Sequence, residues 1–401
     1  MRDLIFYGAS VALSQGLPYL LAPLFAVWLG ASVFGEYAFF INMMAVMAAF
    51  IGFVSHSSLA REFYRIQPID RTQLLKKLII QTMILSSVAG CILLAIESWF
   101  SLDLDLPLAS IGATLLVLNR LVYVFLHLRE SPFEYFKLTL LYSVCYLSLL
   151  TYQIYIYGFS PSTLVLSGVI ASVVLGYVFY RTTFSTDEKF LNFNNFKFSY
   201  IENSKLVVFI YIDAIISVLF PFIDKIMLKT LFTPEVISSY YFCFSMSMIY
   251  ALFSDIYMKK SIPVLLKSYA LDSASIDSLF TVNRFRYFFV MLFFLLIAIL
   301  SFYLLVGFIP SYSNIGGWFV YIFLGQFFIT QIKYDNVWFV ALSKGRALLT
   351  ANISAMGVYL LILYFLKSPD VTMLAQSFSF GIFLWWANLL FFRTRKYMVL
   401  K

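Results

Sequence analysis

Charged side chains are scarce in this chain. Only 12% of its 401 residues are Asp, Glu, Lys or Arg, where a soluble globular protein carries roughly 25%. Hydrophobic residues make up 62% and the mean hydropathy is +0.89. A soluble core of this length cannot hide so much apolar surface, so lipid must act as part of the solvent. Histidine is reduced to His56 and His127, and cysteine to Cys91, Cys145 and Cys243, all three inside apolar runs where they read as small packing residues. No His or Cys spacing matches a metal site or a disulfide framework. No Gly-rich loop ends in Lys-Ser or Lys-Thr, which argues against nucleotide drive within this chain. Nothing resembles an enzyme site, and no cofactor is expected. The net charge of +8 does not point to nucleic acid, because the basic residues fall between apolar runs.

Long polar segments are missing too. The longest, near 181–205 and 258–285, are too short for a soluble catalytic domain. What the chain has instead is a series of apolar runs of about 20 residues or more, the length needed to cross a bilayer. They fall near 4–29, 35–59, 78–98, 107–128, 136–157, 161–180, 206–231, 236–257, 286–309, 315–342, 347–366 and 371–392. The first follows Arg2, is too long for a signal-peptide core and ends in no small-residue cleavage site, so it reads as a span. The run at 315–342 is polar in its second half and counts as one helix, since its halves are too short to span. The fold class is therefore an all-α integral membrane protein of about twelve transmembrane helices. Trp28, Trp99, Tyr157, Trp318, Trp385 and Trp386 near run ends predict interfacial belts.

Basic residues set the orientation. With the N-terminus inside, 23 of the 28 Lys and Arg fall in cytoplasmic segments. The outer side then holds Lys367, Lys229 at a helix end, and the acids Glu36, Glu97, Asp103 and Asp105. Such an asymmetry predicts both termini in the cytoplasm of a multi-pass inner-membrane protein. An offset of 203 residues lays Ser14 on Ser217, Pro18 on Pro221 and Tyr37 on Tyr240. Six spans lie between the matched helices, an even number, so the halves share one orientation, as in transporters with parallel repeats. The expected division is an N-terminal six-helix lobe at 1–181, a cytoplasmic linker at 182–205 and a C-terminal six-helix lobe at 206–401.

Each charge inside the bilayer costs about 2.5–3.5 kcal/mol on insertion scales and needs a reason. Arg120, Lys225 and Lys333 are candidates for a cationic cavity that binds a diphosphate, guanidinium bidentately and ammonium as a point charge. Arg120 shares a helix face with Tyr123 and His127. The competing reading is that each cation pairs with an intramembrane carboxylate and locks helices together. An alternative expectation for Lys225 is that it snorkels to the outer interface. Asp213 and Asp224, eleven residues apart, return to nearly one helix face. Together with Asp335 they are candidates for H⁺ or Na⁺ coupling, or else partners for the cations. Asp224 and Lys225 are sequence neighbours about 100° apart, which predicts that they do not pair with each other. Lys333 and Asp335 must also look elsewhere. Gly16, Pro18 and Pro23 in the first span, and Pro221 in the seventh, are hinge candidates.

Several stretches resemble the polysaccharide-biosynthesis flippases of the multidrug/oligosaccharidyl-lipid/polysaccharide exporter superfamily. They are Tyr7-Gly8, Leu13-Ser14-Gln15-Gly16, Trp28-Leu29-Gly30, Phe34-Gly35-Glu36-Tyr37, Gly52 through His56 with Leu59-Ala60-Arg61, and Asp224 through Leu228 followed by Glu235-Val236 and Tyr240. The O-antigen flippases look nearest. The resemblance implies two six-helix lobes around a central cavity that opens alternately to each side. It implies an undecaprenyl-diphosphate-linked oligosaccharide as cargo, with the lipid tail left in the bilayer, and polysaccharide polymerase machinery as a partner. A multidrug exporter of the same superfamily is the alternative. An O-antigen polymerase or ligase fits less well, since the outer loops are short and lack arginine.

Overall fold

The computed structural model describes residues 2–13, 22–52, 55, 59, 63, 66–100, 105–183, 204–271, 275–309, 312, 315–341, 344–366 and 370–399. Gly16, Pro18, His56 and Arg61, and the expected linker from 184 to 203, lie outside them. The elements in chain order are α1 (Arg2–Val11), α2 (Ala22–Leu29), α3 (Ala31–Gly52), α4 (Pro68–Phe100), α5 (Leu106–Leu128), α6 (Pro132–Tyr157) and α7 (Pro161–Thr183). They continue with α8 (Ser204–Leu231), α9 (Pro234–Leu271), α10 (Ser275–Phe308), α11 (Phe319–Ala341), α12 (Gly345–Phe365) and α13 (Val371–Val399). Among the described residues nine helices are long and apolar enough to cross a membrane: α3 to α7, α9, α10, α12 and α13. An all-α, multi-pass membrane architecture of about twelve spans accounts for the whole set.

Local chemistry sets the helix ends. Proline opens α4, α6, α7 and α9 as their first residue, where its missing N–H costs nothing and its fixed φ suits the helix. At the start of α7 the Ser160 and Thr163 side chains each accept from the other's backbone N–H, at 3.3 and 3.2 Å, a reciprocal cap. Asp370 Oδ1 accepts from the Met373 N–H at 2.6 Å and caps α13. Gly30, with φ 78°, separates α2 from α3, and Gly158, with φ 76°, ends α6. The expected loop at 258–285 is mostly helix, since α9 runs on to Leu271 and α10 begins at Ser275. At about 1.5 Å per residue, these helices outreach a hydrocarbon core of about 30 Å.

The chain forms two compact units. The first comprises α1, α3 from Glu36 onward, and α4 to α7. Within it α4 packs on α5, α6 on α7 and α1, and α7 on α5. Gly112 lets α5 approach Met44 of α3 so closely that an added Cβ would lie 2.5 Å from its Cε. Leu75, Leu121, Phe125, Tyr135 and Phe179 meet in a buried cluster of this unit.

The second unit comprises Lys205 to the C-terminus together with α2. The sequence reading kept the whole first span with residues 1–181. Instead α2 packs against α9, and one side of this wholly apolar helix is covered. Phe25 and Ala26 are buried while Leu24, Val27 and Trp28 are exposed. In the rest of the unit α13 packs on α11 and α12, and α9 on α10 and α11.

Candidate functional site

The intramembrane charges of the second unit, Asp213 apart, fall into two buried networks and one open pair. On α8, Asp224 and Lys225 are 0% and 1% exposed. The sequence reading predicted that these neighbours do not pair. The structure corrects this: Lys225 Nζ lies 3.7 Å from Asp224 Oδ1. The long lysine stem bends back along the helix to donate to the Pro221 carbonyl, one turn earlier. The same ammonium sits 3.7 Å from the centre of the Phe244 ring on α9. Lys225 therefore does not snorkel, because the carboxylate, carbonyl and ring meet its charge inside the unit. The Tyr240 hydroxyl donates to Asp224 Oδ2, and the Tyr240 ring stacks on Trp318 at 5.9 Å. Tyr241 and Tyr359 lie within electrostatic reach of the same carboxylate.

Asp213, on the same helix, is 6% exposed, and its Oδ1 has no hydrogen-bond partner among the described residues. It is the one intramembrane acid candidate for which no cation is found nearby among those residues. Pro221 lies inside α8, which stays helical on both sides of it. Pro23 lies in α2.

The second network joins α10, α11 and α13. Arg284 grips Asp335 bidentately, Nε to Oδ1 and Nη2 to Oδ2, both at 2.9 Å. Arg393 approaches Oδ1 at 3.5 Å, and the Trp386 indole donates to Oδ2 at 3.2 Å. Arg393 also donates to Thr281 Oγ1 at 2.9 Å and lies over the Phe280 and Trp338 rings. Two guanidiniums and an indole N–H meet on this one carboxylate, so Asp335 ties α10, α11 and α13 together. Sequence reasoning counted Arg284 and Arg393 as ordinary cytoplasmic charges. The signal for their role was Asp335 itself, an intramembrane acid with no cation on its own helix face. Lys333, facing away from Asp335, pairs with Asp255 at 3.2 Å, and this pair stays open, with side chains 38% and 21% exposed.

Belt residues divide in the same way. Trp99 and Tyr157 are largely exposed, as an interfacial belt requires. Trp385 is buried, donates to Asn352 Oδ1 and stacks on Phe220, whose other partner is Tyr359. Trp386 belongs to the Asp335 network. Neither of these two is a belt residue, because a buried polar partner claims each indole N–H.

In the first unit the intramembrane cation is Arg120 on α5, and it is exposed. It lies eight residues before the end of α5, about 12 Å along the axis. Its neighbour Asn119 is buried and donates to Ser172 of α7 at 3.0 Å. Tyr142 of α6 hydrogen-bonds to both Asn119 and Ser172. Tyr123, on the Arg120 face, packs on Tyr135 with ring centroids 5.5 Å apart.

No protein-family model matches the sequence, and no curated protein matches it. Solved structures do. The chain is similar in fold to a MOP superfamily transporter from Pyrococcus furiosus, in which the reverse polarity of the binding pocket suggests a different function. The TM-score is 0.70 at 15% identity, covering 100% of this chain and 96% of that one. A multidrug resistance MATE family transporter of the MOP superfamily, in an outward-facing conformation, gives a TM-score of 0.69 at 16% identity, covering 98% and 95%. A MATE structure in complex with MaD3S gives 0.67 at 14% identity, also covering 98% and 95%. The fold is thus that of the MATE transporters. At these identities the likeness concerns fold alone.

Proposed function

We propose that this protein is a transporter of the inner membrane, with both termini cytoplasmic, that flips an undecaprenyl-diphosphate-linked oligosaccharide, an O-antigen unit or similar, by alternating access. One observation carries the reading of an anionic cargo: an exposed cation well inside a span. Asp224 and Asp335 are buried and compensated, Asp213 is buried, and Asp255 is held by Lys333. Arg120 is exposed well inside its span. A guanidinium at an exposed position suits a diphosphate, which it can meet with paired N–H groups, and repels a cationic drug. Lys333 is the second candidate for the cargo's phosphates. Lys225, enclosed by its own unit, serves better as an internal counter-charge. Asp213 is the strongest candidate for H⁺ or Na⁺ coupling, since its carboxyl is buried with Oδ1 unpartnered among the described residues.

The fold neighbours supply a second reading, a multidrug exporter, because one of them is named a multidrug resistance transporter. The reverse-polarity pocket reported for another neighbour supports the view that this fold carries cargoes of different charge. Gene deletion separates the two readings. A lipid-linked saccharide that accumulates on the cytoplasmic leaflet supports the flippase, whereas hypersensitivity to cationic dyes with normal surface polysaccharide overturns it. Arg120→Ala should abolish surface polysaccharide at unchanged membrane abundance; wild-type polysaccharide in that variant removes Arg120 from the site.

A further inference from the structure

One face of α6 carries a row of polar side chains that the charge argument does not use. Tyr135, Tyr142, Tyr146 and Gln153 are spaced by seven, four and seven residues. At about 100° per residue they stay within about 40° of one line along the helix. The opposite side of α6 carries Phe133, Leu140, Val144 and Tyr155, all exposed, which is the lipid-facing side of a peripheral span. The row therefore faces the interior of the first unit.

Other helices extend the row into a ladder. The Tyr142 and Tyr146 rings are parallel within 4°, with centroids 5.8 Å apart. Tyr123 of α5 lies within electrostatic reach of Tyr135 and Tyr142, and Tyr37 of α3 within reach of Tyr146. Asn119 and Ser172 back Tyr142. From Tyr135 to Gln153 the row climbs about 27 Å at 1.5 Å per residue, most of the hydrocarbon thickness.

Two features of the ladder point to a ligand. Its α6 face carries no charge of its own: Glu134 and Lys137 lie off the row and are exposed, so that face offers neither a counter-charge for a drug cation nor one for a phosphate. It also holds buried polar atoms without a partner among the described residues, Tyr123 Oη and Gln153 Oε1, the latter on a side chain 8% exposed. Orphaned buried polar atoms destabilise the fold unless something hydroxylated meets them. Aromatic faces with interleaved neutral donors and acceptors match the chemistry of a sugar, whose C–H faces stack and whose hydroxyls both donate and accept.

We propose that the Tyr135–Tyr142–Tyr146–Gln153 face of α6, with Tyr123 and Asn119 of α5, recognises the saccharide part of the cargo, while Arg120 takes its diphosphate. The inference rests on the lipid-linked-saccharide reading. It assigns the two halves of that cargo to adjacent features of α5, Asn119 on the ladder and Arg120 beside it.

The test compares two probes with the purified protein in nanodiscs, undecaprenyl diphosphate and undecaprenyl-diphospho-N-acetylglucosamine. Wild type should bind the glycosylated probe more tightly. Tyr142→Phe with Gln153→Leu should reduce that preference about tenfold while leaving the affinity for undecaprenyl diphosphate and the thermal midpoint unchanged. Arg120→Ala should weaken both probes equally. If wild type binds neither probe, the cargo reading fails. If wild type binds both equally, or if the double variant keeps the full preference, the ladder assignment fails while the cargo reading stands. Loss of both probes in the double variant with a lowered midpoint would make the ladder a structural element and overturn the assignment.

Discussion

Arg284 meets Asp335 side-on, with each of two guanidinium nitrogens 2.9 Å from a different carboxylate oxygen. The pair joins α10 to α11, and Arg393 brings α13 to the same carboxylate. Asp335→Ala would leave two guanidiniums without their shared anion. Removing one member of a buried pair costs about 3–5 kcal/mol, so the detergent-solubilised variant should unfold at a markedly lower temperature. Lys333→Ala breaks the open pair with Asp255 and should cost no more than about 1 kcal/mol. Equal thermal midpoints for the two variants would contradict the anchor role of Asp335.

Tyr240→Phe isolates one bond of the Asp224 network. It removes the hydroxyl that donates to Asp224 Oδ2 and keeps the ring that stacks on Trp318. Hydrogen bonds to charged groups contribute about 1.5–3 kcal/mol. Tyr37→Phe, the matching position in the first half, is the comparison: its ring packs on Phe159 at 5.5 Å. The expected outcome is a lowered thermal midpoint for Tyr240→Phe and a smaller change for Tyr37→Phe, read side by side in one detergent.

Much of this architecture was legible because lipid imposes a simple rule: apolar runs long enough to span become helices. Residues 106–128, 161–183 and 319–341 fall close to the runs that predict them. Pairing was less legible. Helix geometry alone places the Asp224 and Lys225 side chains about 100° apart, but a lysine stem is long enough to turn back to Pro221 and bring its ammonium to the neighbouring carboxylate. Arg284, Arg393 and Trp386 converge on Asp335 from two other helices, and one-dimensional spacing carries no information on which faces of distant helices meet. The grouping of α2 with α9 was hidden for the same reason.

Gly381→Ala tests the packing of α12 on α13. A Cβ there would lie 2.6 Å from Tyr359 Cδ2 and 3.3 Å from Phe220 Cε1. Neither ring can yield easily, since both are fully buried and stacked on each other at 4.6 Å. Overpacking a core of this kind costs about 1–3 kcal/mol. Gly357→Ala, on α12 with open space around its added Cβ, should be neutral or slightly stabilising through helix propensity. Reduced folded yield and midpoint for Gly381→Ala alone is the expected result in a fluorescence size-exclusion assay.

Orientation can be read chemically. The basic residues predict that Glu36, at the start of α3, lies outside, and that Glu130 and Arg346, beside the ends of α5 and α12, lie inside. All three positions are exposed, so a cysteine at any of them is accessible to a reagent on its side of the membrane. The native Cys91, Cys145 and Cys243 are free thiols and would first be replaced by serine. In intact cells a membrane-impermeant maleimide should then label Glu36→Cys and leave Glu130→Cys and Arg346→Cys untouched until the membrane is permeabilised. The reverse pattern would place both termini outside and turn the direction of the proposed flipping around. Labelling of Glu130→Cys and Arg346→Cys on opposite sides would require an odd number of crossings between α5 and α12, and the twelve-span count would then fall.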